Sequence, residues 1–382
     1  GASHYADARG NRALGRPLAH YVENGVPVER LPEDFYSSDF YTDYIIDSID
    51  AGMKSGDPWF AFLAFTAPHW PLQAPDEYIA KYKGVYDDGY EVLRANRIAR
   101  ARDLGVIPRE AEVYPRLEIV APWNSLSDEE KAMSAKKMEI YAGMVDSLDK
   151  NVGRLIEHLK AIGEYDNTFI MFIADNGAEG EDRENFIDLT GVEDIENHWT
   201  YDNSLENIGR PGSYVSYGPA WAQAGVGVMR YFKSRSSEGG TRGPAFIHHP
   251  DLSKKGEINN AFASVVDLAP TFLELAGVTH PERGFNGRPL MPLQGESLVP
   301  LVFGGADTVR REDFTFGWEV FGHRALRKGD WKLLWLTSVS PDANQLHHPT
   351  ERADHWGLYN LAVDPGETND LSVEEPEKLV EL

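Results

Sequence analysis

The stretch FIMFIADNGAEG, residues 169–180, decides how the chain reads. Six mostly apolar residues of buried-strand character run into Asp175-Asn176-Gly177, a turn sequence. A strand that ends this way delivers a carboxylate and a carboxamide side by side. Their oxygens are of the kind that hard divalent cations such as Ca²⁺ or Mg²⁺ take. Asp-Asn-Gly is equally an ordinary turn, and two ligands do not make a metal site.

Just upstream, Ser127-Asp128-Glu129-Glu130 is a capping box. Tyr141, Met144, Val145, Leu148, Val152, Leu155, Ile156 and Leu159 follow at spacings of three and four. They predict a long amphipathic helix that Gly163 ends. The same order occurs earlier. Ser38 or Asp39 can cap a helix carrying Phe40, Ile45, Ile46, Ile49 and Met53 on one face. Gly56-Asp57-Pro58 stops it, and WFAFLAFT (59–66) reads as a second buried strand. Helix-strand repeated in this way predicts an α/β fold, a central, mainly parallel mixed sheet flanked by helices. Parallel strands end on one edge, where such proteins place their ligands. The residues just past the two strands are His69 and the pair Asp175-Asn176, which sets an imidazole and two oxygen donors on one rim.

Residues 70–126 are irregular, with a helix expected around 90–104, and read as an excursion over a site. Residues 203–225 read as loop, 238–250 as a glycine turn and short strand, and 265–278 as a helix. Beyond about residue 305, Lys-Gly-Asp and Asp-Pro-Gly turns between aromatic runs predict a small antiparallel sheet. The expected division is an α/β domain over 1–305 and a small C-terminal α+β subdomain over 306–382.

Composition narrows the function. With 61 acidic against 37 basic residues the formal charge is −24, which argues against nucleic acid or anionic membrane as partner. There is no cysteine, so disulfides, thiolate metal sites and cysteine nucleophiles are excluded. No apolar run approaches bilayer-spanning length, and the first residues lack the apolar core of a signal peptide. Cytoplasm and periplasm both stay open. An anionic substrate would need local positive charge. Lys233 and Arg235, ahead of Gly239-Gly240, offer it, whereas Arg242 is expected to brace the loop. His69 lies between prolines in TAPHWPLQAP (66–75). It is either a packed ring beside Trp70 or a group for proton transfer and hydrogen bonding.

Taken together these segments resemble the sulfatases of the alkaline phosphatase superfamily, and bacterial arylsulfatases in particular. FIADNGAEG is similar to the family's metal strand and TAPHWPLQAP to its histidine loop. KSRSSEGGTRGP (233–244) is similar to its Lys-x4-(Glu/Gln)-Gly-Gly-x-Arg motif. The helix at 141–160, VVDLAPTFLELAGV (265–278) and the C-terminal aromatic tail match in order. The resemblance implies Asp175 and Asn176 as ligands of Ca²⁺, with Mg²⁺ the alternative. It implies His69 on the sulfate or leaving group, and Lys233 neutralising sulfate oxygens. It further implies hydrolysis of a small-molecule sulfate ester through a covalent sulfo-enzyme.

The pattern breaks at the nucleophile. The family's formylglycine arises in Cys/Ser-x-Pro-x-Arg, preceded by an Asp-Asp pair and followed by a Lys-x-His loop. None of these is recognisable in the chain. Thr279-His280-Pro281-Glu282-Arg283 fits a loosened version, but it lies out of order and oxidised threonine would be a ketone. The expectation is therefore an inactive C-terminal part of an arylsulfatase-type enzyme, whose nucleophile-bearing segment lies elsewhere or is supplied as a separate chain. A phosphonate or phosphodiester hydrolase and a catalytically dead scaffold are the rival readings.

Overall fold

A computed structural model describes residues 3–6, 21–181, 201–281, 284–311, 313–337 and 355–382. A short hairpin of β1 (Val22–Glu23) and β2 (Val26–Pro27) precedes helix α1 (Ser37–Met53). Its N-cap is Tyr36, with no side-chain cap, so Ser38 and Asp39 fall in the first turn rather than at the cap. Helices α2 (Asp76–Lys81) and α3 (Tyr90–Asp103) occupy the excursion. Helix α4 (Asp128–Ala161) follows, 34 residues long. Its capping box forms as expected. Ser127 Oγ accepts from the Glu130 amide at 3.2 Å, and Glu130 accepts from the Ser127 amide at 2.8 Å. Gly163 ends the segment at a φ of +79°, a left-handed conformation that costs a glycine little.

The apolar faces of α1 and α4 meet, and a polar tie fixes their register: Asn151 donates to Asp39 at 2.7 Å and to the Ser147 carbonyl at 2.9 Å. On the other side an aromatic cluster holds the excursion down. Tyr90, Trp123 and Trp221 pack edge to face at 5.2 to 5.9 Å. Trp221 lies on α5 (Gly218–Val226), a helix inside the segment read from sequence as loop, with Pro219 in its first turn. The same core takes in Ala325, Leu334 and Tyr359 of the C-terminal sheet.

That sheet is antiparallel as expected, in the order β5 (Thr315–Val320), β6 (His323–Lys328), β7 (Trp331–Trp335), β8 (Trp356–Asn360). The Lys328-Gly329-Asp330 turn joins β6 to β7, with Gly329 at a φ of +56°.

The centre differs from the expected pairing. Strand β3 (Ile170–Ile173) pairs antiparallel with β4 (Ala245–His248), in a register that sets Phe172 against Phe246. Residues 59–66 run extended but have no ladder partner among the described residues. Their side chains alternate in exposure, and Phe60 and Phe62 are 69% and 76% exposed. This backbone and β3 line a single trench of about 3420 Å³. The helices, the extended central segments and the C-terminal sheet keep the chain in the expected α/β class. Among the described residues no parallel ladder joins 59–66 to β3. Helix α6 (Leu268–Leu275), preceded by a helical turn at Val265–Asp267, lies along the same trench.

Candidate functional site

The β3–β4 pairing continues past the strands as a zipper between two loops. The Ala174 amide donates to the Pro244 carbonyl at 3.0 Å and the Gly177 amide to the Gly240 carbonyl at 2.9 Å. The Lys233 amide donates to the Ala178 carbonyl at 2.9 Å. Glycine is what permits this approach. A Cβ on Gly177 would lie 1.8 Å from the Gly239 carbonyl oxygen, and one on Gly239 would lie 2.1 Å from that of Tyr231. The Gly-Gly of the lysine loop and the Gly of Asp-Asn-Gly are thus two halves of one backbone contact. It brings Lys233 to the strand end that carries Asp175 and Asn176. The lysine sits in a tightly turned loop, with Tyr231 and Ser234 both at positive φ.

Glu179 joins the site, although the sequence reading gave it no role. Its Oε2 lies 3.0 Å from Lys233 Nζ and 3.8 Å from His69 Nε2. Its Oε1 accepts the Glu181 amide at 3.0 Å, and its own amide donates to the Tyr217 hydroxyl at 3.0 Å. Tyr217 in turn packs edge to face on Tyr141 of α4 at 4.9 Å. Burial works against the Glu179 carboxylate, yet the Lys233 ammonium and the amide of Glu181 hold it below the ordinary value.

His69 is held from behind. Its Nδ1 lies 2.7 Å from the Trp70 carbonyl, and its ring packs on the Trp70 ring at 4.6 Å. A carbonyl only accepts, so in the neutral ring the proton sits on Nδ1 and Nε2 carries the lone pair toward Glu179. Burial, then the nearby Lys233 charge, push the imidazole down to about 4, so it is neutral at pH 7. The ring thus packs beside Trp70, with Nε2 facing the Lys233–Glu179 pair. The His69 carbonyl is held by His4 Nε2 at 3.1 Å, and His4 Nδ1 lies 2.8 Å from Ser37 Oγ.

The other sequence candidates separate. Arg235 is buried, and its guanidinium donates to the Ser234 carbonyl at 3.1 Å, so it does not stand beside Lys233 as an open anion-holding charge. Arg242 braces the loop as expected, donating to Asn260 Oδ1 at 3.1 Å. Glu282 and Arg283 of the Thr279–Arg283 segment lie outside the described residues.

Asp175 is exposed at the strand end, and Asn176 Nδ2 donates to the Gly177 carbonyl at 3.1 Å. That bond uses the amide nitrogen and leaves Oδ1, beside the carboxylate, as a metal-type donor. The pair suits a hard cation in chemistry, though not in number. Among the described residues no group of three or more His, Asp or Glu is gathered for a metal. Two donors fall short of the six to eight oxygens that Ca²⁺ takes.

A family model described as Sulfatase matches residues 5–278, and one described as N-sulphoglucosamine sulphohydrolase, C-terminal, matches residues 227–381. An uncharacterized sulfatase of Schizosaccharomyces pombe is 41% identical over 387 residues, covering 100% of this chain and 67% of that protein. An arylsulfatase of Klebsiella aerogenes is 39% identical over 300 residues, covering 78% of this chain and 62% of that protein. In fold, the chain is similar to the crystal structure of Ps i-CgsB in complex with k-i-k-neocarrahexaose. The TM-score is 0.58 at 22% identity, over 97% of this chain and 58% of that one. The chain thus spans about two thirds or less of the length of these relatives.

Proposed function

The chain belongs to the sulfatase family, and from that membership we propose that it is the larger part of an arylsulfatase-type sulfuric ester hydrolase acting on a small sulfate ester. In this reading Asp175 and Asn176 hold a divalent cation, Ca²⁺ in preference to Mg²⁺. When bound, the cation would polarise the sulfate oxygens. Lys233 binds a sulfate oxygen and offsets charge growing on the leaving oxygen. His69, neutral with its lone pair on Nε2, accepts or shuttles a proton at that atom. The observation that carries the reading is the Gly177–Gly240 contact. It draws the backbone of the Lys233 loop to the segment that carries Asp175 and Asn176, in a chain of formal charge −24.

The family generally uses a formylglycine nucleophile, and no residue of this chain supplies one. We assign that role, with the remaining carboxylate ligands, to a segment seated in the trench against 59–66 and the edge of β3, neither of which has a further ladder partner among the described residues. That segment is continuous with the chain or a separate partner. Residues 1–305 would then form the catalytic domain and 306–382 its C-terminal subdomain.

The test is titration of the 382-residue chain with inorganic sulfate and with inorganic phosphate, with and without Ca²⁺. Turnover of an aryl sulfate is followed in parallel. Sulfate binding that Ca²⁺ strengthens and Lys233→Met removes, without turnover, fits the proposal. Phosphate preferred over sulfate would favour a phosphonate or phosphodiester hydrolase. No anion binding at all would favour a scaffold.

A further inference from the structure

The Lys233–Glu179 contact poses a problem for any anion site. A carboxylate 3.0 Å from the one lysine that is to bind sulfate cancels its charge and repels the ligand. With His69 neutral, the three groups sum to zero net charge. If holding the anion tightly were the whole task, Glu179 would be a defect.

The geometry gives it another task. A lysine side chain is a point charge on four flexible carbons and, left free, would settle wherever a bound dianion pulled it. Glu179 is itself fixed at both ends, its Oε1 by the Glu181 amide and its backbone by the Tyr217 hydroxyl. Its side chain is 14% exposed, against 24% for Lys233, so the carboxylate is the more enclosed partner. One acceptor held this firmly takes one of the three ammonium protons and leaves two for an incoming ligand. The same oxygen faces His69 Nε2 at 3.8 Å, so a single atom sets the spacing between ammonium and imidazole.

We propose that Glu179 is a positioning residue: it holds Lys233 at a fixed place beside His69 and accepts weaker ground-state anion binding in return. The inference rests on the anion-site reading above. It predicts that removing the charge strengthens binding of the anion while loosening the lysine, a pairing that a merely structural glutamate would not produce.

Two measurements on the 382-residue chain test it. The first is calorimetric titration with sodium sulfate of wild type, Glu179→Gln and Lys233→Met. Glu179→Gln is nearly isosteric and should bind sulfate about fivefold more tightly, while Lys233→Met should lose binding. The second needs no anion site: brief treatment with acetic anhydride, with acetylation at Lys233 read by mass spectrometry. In Glu179→Ala, Lys233 should react about two- to fivefold faster than in wild type, with other lysines unchanged. If wild type binds no sulfate, the anion-site reading fails, and the acetylation rates still decide whether Glu179 restrains the lysine. Sulfate binding that is unchanged or weaker in Glu179→Gln, or equal Lys233 acetylation rates, overturns the proposal.

Discussion

Lys332→Met should unfold the joint between the site and the C-terminal sheet. Lys332, on β7, is fully buried, with Nζ 2.8 Å from Glu238 Oε1 and 2.7 Å from Glu367 Oε1. The Glu238 amide donates to Glu367 Oε2 at 3.0 Å, which closes the triad. Burial works against ionised Glu238, but the Lys332 charge, then Arg327 and Arg242, keep its proton affinity below the ordinary value. Burial raises that of Glu367, and the Glu238 charge adds to the rise. Glu238 stands directly before Gly239-Gly240, so whatever displaces it displaces the backbone that receives Gly177. Methionine would fill much of the lysine's volume but leave two carboxylates facing each other with their nearest counter-charge gone. Breaking a buried pair from one side costs about 3–5 kcal/mol. The assay is urea unfolding at pH 8 and at pH 5. The loss should reach that range at pH 8 and shrink at pH 5, where the stranded carboxylates can take up protons. Adding Glu238→Gln and Glu367→Gln to Lys332→Met should recover most of it. A loss below about 1 kcal/mol, or one equal at both pH values, would refute a dry triad held by the Lys332 charge.

Other consequences follow from the same geometry. Gly177→Ala places a methyl 1.8 Å from the Gly239 carbonyl oxygen. It should cost about 2–4 kcal/mol through overpacking and the lost bond to Gly240, and an unchanged melting temperature would contradict the contact. Asp175→Ala, at an exposed position, should change stability by no more than about 0.5 kcal/mol while abolishing the rise in melting temperature on adding Ca²⁺; a persisting rise would move the metal elsewhere. Burial holds His4, His69 and His323 at about 4, below their ordinary 6.5. Because the fold favours their neutral forms, the stability they give is complete above pH 6.5 and is lost as pH falls toward 4. Unfolding should take up as many as about three protons in that window, and about one fewer in His4→Gln; a flat profile would exclude this.

Some of this was open to a reader of the sequence alone. The capping box at Ser127, the three-four spacing of α4, the stop at Gly163 and the turn at Lys328-Gly329-Asp330 are local signals. Each is carried by residues a few positions apart, and the backbone obeys them wherever the rest of the chain lies. The same holds for the delivery of Asp175 and Asn176 at a strand end. The sequence could not say that β3 pairs antiparallel with β4, or that 59–66 would stand off across a trench. An uninterrupted apolar run specifies burial without naming a partner. Nor could it separate Lys233 from Arg235, two residues away in the same loop, because the positive φ at Tyr231 and Ser234 sets where each side chain goes. Glu179 stood in the quoted stretch yet showed nothing of its role. Its partners are residues 69 and 233, far off in sequence, and charges so separated meet only when the fold closes. Local order was written in the chain; the charge balance of the site belongs to the tertiary structure, because Coulomb interactions depend on distance through space.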